Sequence, residues 1–103
     1  MGVQHADGES AVGATIAGRY VLEEELARGG MGRVYLARDL SSGTQLALKR
    51  LHGGGGPRLA LQGLFEREFQ TLRSLKHPRI IRVYDYGVDQ GGAYYTMELL
   101  PGT

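Results

Sequence analysis

Three short runs of this chain alternate apolar residues with period two, and one longer run then changes to the period of a helix. That change of period fixes the order of elements. "RYVLEEELA" (Arg19 to Ala27) places Tyr20, Leu22 and Leu26 on one face, interrupted by Glu24. "RVYLARD" (Arg33 to Asp39) sets Val34 and Leu36 opposite Tyr35 and Ala37, and "QLALKRL" (Gln45 to Leu51) puts Gln45, Ala47 and Lys49 on one face. With "SSGT" as a turn, the three runs read as an antiparallel meander. "HGGGGP" then offers nothing to pack, and Pro57 suits a helix entry. From Leu59 to Lys76 the apolar positions Leu61, Leu64, Phe65, Phe69, Leu72 and Leu75 follow helical spacing, and Pro78 ends the run. Gly63 weakens that helix by about 1 kcal/mol relative to alanine. "RIIRVYDYGVD" (Arg79 to Asp89) and "AYYTMELL" (Ala93 to Leu100) read as two more strands around "QGG". The class is α+β: three strands, one helix, two strands.

Composition sets the bounds. A chain of 103 residues with 42% apolar residues builds one modest core, hence one domain or lobe. Twelve basic and 11 acidic side chains nearly cancel, so there is no electrostatic footprint for nucleic acid or a membrane surface. The absence of cysteine excludes disulfides and thiolate metal sites, and permits a reducing, cytoplasmic location. No apolar run approaches the roughly 18 residues of a membrane span, and the amino terminus lacks a signal pattern. "MGVQHADGESAVGAT" is small, polar and aperiodic, so residues 1–15 are expected to be a flexible leader.

Two features do not fit a plain sheet and helix. Residues 26–34, "LARGGMGRV", hold three glycines within four positions, and glycine loses more backbone entropy on folding than any other residue. Either a tight turn or a ligand close to the main chain would call for such a cluster. A P-loop needs Gly-Lys-Ser/Thr, which is absent, and a dinucleotide fingerprint opens a helix, whereas a strand follows here. The second feature is Glu68, which projects from the apolar stripe of the helix. At the stripe's edge it reaches water; further in, it needs a buried cation, because desolvating it unpaired costs several kcal/mol. Lys49 is the basic residue on the Ala47 face of its strand, and the two anomalies explain each other.

Four stretches, "LARGGMGRVYLA", "LALKRL", "FEREFQTLRSLKHPRIIRVYDYG" and "YYTMELLPG", together resemble the start of a protein kinase domain, specifically the bacterial serine/threonine kinases of eukaryotic (Hanks) type. The likeness runs from about Ile16 to Thr103. It implies a kinase amino-terminal lobe over 16–103, with a five-stranded antiparallel sheet and one main helix. It implies ATP as cofactor, with Gly29, Gly30 and Gly32 over its phosphates after Ala27, and Leu26, Val34 and Ala47 against its adenine. Lys49 would hold the α- and β-phosphates and Glu68 would fix Lys49, the two catalytic assignments in this lobe. Met97 would stand at the gatekeeper position, and Glu98 and Leu100 would meet adenine through main-chain groups of the hinge. His77 and Pro78 match a structural turn.

Two departures qualify the resemblance. Ala27 stands where the family usually has the first glycine of the loop, at a cost of about 1–2 kcal/mol if a positive φ were required. Nothing here matches the catalytic-loop Asp and Asn or the Asp-Phe-Gly motif, so the base and the Mg2+ ligands are expected in a second lobe, and these residues alone are expected to be inactive. The expected partners are ATP and a protein substrate phosphorylated on Ser or Thr, with no nucleic acid and no membrane segment. Dimerisation through the back of the lobe is implied by the family and specified by no residue here. The alternative function is a free-standing, non-catalytic binding or regulatory module derived from a kinase lobe.

Overall fold

Alternation in the sequence becomes a single sheet because each strand has something to bury on at least one side. The structure is a computed structural model that describes residues 11–29, 32–51, 58–74 and 82–99. Along the chain these form β1 (Thr15–Ile16), β2 (Tyr20–Arg28), β3 (Gly32–Asp39), β4 (Gln45–Leu51), α1 (Arg58–Ser74), β5 (Val83–Asp89) and β6 (Gly92–Met97). The strands pair antiparallel in the order β1-β2-β3-β4-β6-β5. The last strand of the sequence therefore lies beside β4, and β5 takes the edge.

Six strands replace the five expected, because β1 adds a short hairpin to β2. Ile16, 4% exposed, anchors it in the core, and the Arg19 N–H donates to the Ile16 carbonyl across Ala17 and Gly18. Both turn residues have positive φ, 54° and 67°, the pairing that matches the twist of a two-residue hairpin. The Gly13 N–H also donates to the Leu22 carbonyl at 2.7 Å. The flexible leader expected over 1–15 is thus corrected for residues 11–15; residues 1–10 lie outside the described residues. Elsewhere the bounds shift little: β6 stops at Met97 where a strand to Leu100 was expected, and the Glu98 N–H turns to the Arg82 carbonyl at 2.8 Å. The expected extension of α1 to Lys76, the turn at His77 and Pro78, and the strand start at Arg79 fall outside the described residues.

The sheet is apolar on both faces. One cluster joins Ile16, Tyr20, Leu22, Tyr35, Ala37, Leu46, Leu48 and Tyr94 without help from the helix. On the opposite face, Ala47, Leu51, Val83, Ala93, Tyr95 and Met97 receive Phe65 and Phe69 from α1. β6 is buried along its whole length, since it contributes to both clusters. Phe65, at 0% exposed, and Phe69, at 2%, seat the helix; burying one such ring is worth about 1.5–3 kcal/mol. Leu61 and Leu72 pack at the margin of the same cluster.

Two apolar residues expected on buried faces are exposed. Leu64 is 54% exposed because it lies further round the helix than the Leu61–Phe65–Phe69–Leu72 line. Leu26 is 44% exposed. The register of β2 against β3 skips Glu23 and Leu26, and these two bulges break the alternation that would have carried Leu26 inward.

Candidate functional site

The glycine hairpin, β4 and α1 surround a cleft of about 450 Å³ lined by Ala27, Arg28, Gly29, Gly32, Val34, Lys49 and Glu68. Each wall has a local cause. β2 and β3 pair as far as Arg28 and Arg33, and the Gly29 N–H closes the hairpin onto the Gly32 carbonyl at 2.8 Å. Val34 faces the cleft because it stands opposite both Ala27 and Lys49 in register. The alternation of β4 sends Lys49 to the helix side along with Ala47 and Leu51.

Lys49 and Glu68 meet there. The Lys49 Nζ donates to Glu68 Oε1 at 2.8 Å. Their side chains are 22% and 36% exposed, so Glu68 both sits at the edge of the apolar stripe and has found its cation. The Tyr95 hydroxyl donates to the same oxygen at 2.5 Å. Burial pushes the Glu68 carboxyl up, but the hydrogen bonds from Lys49 and Tyr95 and the lysine's charge outweigh it, and the group is held below the usual carboxylate range. Burial and the carboxylate raise the Tyr95 phenol well above the ordinary tyrosine value. The arrangement is an ion pair at the wall of a glycine-lined cleft, with both charged side chains among the lining residues.

The two described glycines differ in what requires them. A Cβ on Gly32 would fall 2.3 Å from the Arg50 carbonyl oxygen, so the packing of β3 on β4 demands glycine there. Around Gly29 nothing lies within 4 Å of a Cβ, and its φ is not in the left-handed region. Ala27 likewise has no positive φ, so the strain expected of alanine in place of glycine is absent.

No family profile matches the chain. A probable serine/threonine-protein kinase of Streptomyces coelicolor is 40% identical over 92 residues, covering 85% of this chain. PknA of Mycobacterium tuberculosis, a serine/threonine-protein kinase, is 38% identical over 88% of the chain, and PrkC of Bacillus subtilis, another, is 35% identical over 88%. Over most of its length the chain is therefore similar to serine/threonine-protein kinases. It spans 14% of the length of the Streptomyces relative and of PrkC, and 22% of PknA. A solved structure titled PpkA-294 apo form superposes with a TM-score of 0.76 over 92% of this chain and 40% of its own, at 22% identity, and shares the fold.

Within this fold the expected residues divide into two groups. Ala27, Gly29, Gly32, Val34, Lys49 and Glu68 line one cleft. Ala47 and Met97 lie outside that lining, buried side by side as register partners of β4 and β6, with Val34 packed against their cluster. Leu26 is also outside it, on its bulge. Glu98 is half-buried with its N–H committed to Arg82, so any main-chain contact it makes to a ligand falls to its carbonyl. Gly30 and Leu100 lie outside the described residues. Reasoning from sequence missed Arg28, which lines the cleft while paired to Glu25 at 2.7 Å, and Tyr95. The signal for Tyr95 is its register opposite Lys49, which exists only once β6 is known to lie beside β4. Among the described residues, no helix is long and apolar enough to cross a membrane.

Proposed function

We propose that this chain is the ATP-clamping lobe of a serine/threonine protein kinase, which moves the γ-phosphoryl group of ATP to serine or threonine hydroxyls of proteins once joined to a second lobe. The observation that supports this most is the Lys49–Glu68 pair, 2.8 Å apart at the inner wall of the glycine-hairpin cleft. Lys49 is the group for the α- and β-phosphates, and Glu68 keeps its ammonium in place while charge shifts during transfer. Gly29, Gly30 and Gly32 let the hairpin backbone come close to phosphate oxygens. Val34 and Ala47, with Leu26, flank the adenine; Met97 limits the depth of the pocket; Glu98 and Leu100 supply main-chain hydrogen bonds to the ring.

The cleft suits a polyphosphate better than a bare metal ion. Its one described carboxylate, Glu68, already accepts two hydrogen bonds at Oε1. Mg2+, which would offset phosphate charge when bound with ATP, is accordingly assigned no ligand here, and its carboxylates are expected in the second lobe. These 103 residues contain no His-Arg-Asp or Asp-Phe-Gly sequence to orient a hydroxyl.

The test uses the chain itself. Displacement of a fluorescent ATP analogue should show binding, and Lys49→Met should weaken it by roughly tenfold or more, as for loss of a charged hydrogen bond, with the unfolding temperature little changed. Equal affinity in the two proteins overturns the reading. Labelled ATP and a generic protein substrate should yield no phosphoprotein with this chain alone, and label in the substrate would show a catalytic group outside those named.

A further inference from the structure

Glu68 is held from the sheet by two donors on one oxygen. Lys49 and Tyr95 are direct register partners on β4 and β6, so both reach Oε1 from neighbouring strands while Glu68 comes from the helix. The donors are not equivalent. Lysine carries three N–H groups on a flexible stem and can turn one toward another anion. Tyr95 has a single hydroxyl hydrogen, and its ring is clamped between Phe65 and Phe69, with centroids 5.0 and 5.6 Å away. At 2% exposure it has no room to swing.

We propose that Tyr95 is a positioning residue that keeps Glu68, and with it α1, docked on the sheet independently of Lys49, so that Lys49 is free to engage a phosphate without releasing the helix. The value of that device rests on the kinase reading; the tether itself does not. Phosphate drawing on Lys49 would otherwise remove the hydrogen-bonded contact between Glu68 and β4 just when α1 has to stay still. With Tyr95 in place, Oε1 keeps its second donor throughout.

The experiment compares the 103-residue chain with Tyr95→Phe, Lys49→Met and the double variant, without nucleotide. Amide hydrogen exchange is read along α1 and along β3 and β4, and the Glu68 carboxyl is titrated by carbon-detected NMR. Tyr95→Phe removes one oxygen and keeps the ring packing. It should speed exchange in α1 by roughly tenfold or more relative to β3 and β4, the size of a lost hydrogen bond to a charged group, and should raise the pH at which Glu68 titrates. Lys49→Met alone should leave α1 better protected than the double variant does. Exchange in α1 within about twofold of the parent chain, equal acceleration in all three elements, or an unmoved Glu68 titration would each overturn the proposal. In the parent chain, which needs no variant, a Tyr95 ring that titrates in the ordinary tyrosine range also overturns it. If the α1 response is found but the parent chain binds no ATP, the tether stands and the kinase reading falls.

Discussion

Gly29 and Gly32 belong to one hairpin, yet they are glycines for different reasons, and that difference can be measured. At Gly32 an added methyl group meets the Arg50 carbonyl oxygen at 2.3 Å, backbone that cannot move without opening the β3–β4 ladder. Gly32→Ala should therefore cost about 1–3 kcal/mol of stability, read by urea unfolding. At Gly29 the same methyl group meets nothing. Gly29→Ala should leave unfolding unchanged and weaken ATP binding instead, because the space it takes is the approach to the hairpin backbone. If Gly29→Ala binds ATP as the parent does, the hairpin does not lie over the phosphates. Ala27 completes the comparison: in an extended strand conformation without positive φ, its methyl group costs no backbone strain.

At the scale of the element, α1 is seated by a narrow line of contacts and carries a weak point in its middle. Gly63 is exposed, and a Cβ there meets nothing within 4 Å. Gly63→Ala should stabilise the chain by about 1 kcal/mol by restricting the unfolded state and favouring helix. A thermal unfolding midpoint that stays put or falls would mean that the helix does not limit stability. Phe65 behaves in the opposite way. Fully buried between the sheet and the rest of α1, it packs on Tyr86 and Tyr95 with centroids 6.3 and 5.0 Å away. Phe65→Ala should cost about 3–5 kcal/mol, and loss of cooperative unfolding is the expected readout.

For the whole molecule, one contribution to acid resistance comes from a join outside the cleft lining. Arg19, at the turn of the first hairpin, makes a two-point ion pair with Asp39 at the end of β3, both contacts at 2.9 Å. Asp39 also accepts the Ser41 N–H at 2.9 Å. The Arg19 hydrogen bond leads the effects that lower the Asp39 carboxyl from its ordinary 3.8 to about 2. A carboxyl lowered by folding binds fewer protons in the native state, so its contribution is complete above the ordinary value and disappears as pH falls through the folded one. Between about pH 4 and pH 2 the chain should lose the stability this carboxylate contributes, and Asp39→Asn should reduce the slope of that segment while lowering stability at neutral pH. Unfolding free energies measured across pH 2–7 decide it; an unchanged slope would show that Asp39 is not responsible.

Local chemistry determined much of this protein. Period two in β3 and β4, helical period in α1, the glycine hairpin, and the pairing of Lys49 with Glu68 were all legible, because each depends on spacing within one element or on two anomalies that explain each other. The tertiary structure decided what depends on neighbours distant in sequence. β1 forms because Ile16 finds a core, although two residues, β-branched as they are, are too few to show a strand period. Leu26 turns outward through bulges that only the pairing of β2 with β3 reveals. Tyr95 reaches Glu68 because β6, last in sequence, inserts beside β4, and a crossover of that kind leaves no local pattern. Side-chain period belongs to the segment that carries it, whereas register and strand order are set by burial summed over the whole sheet.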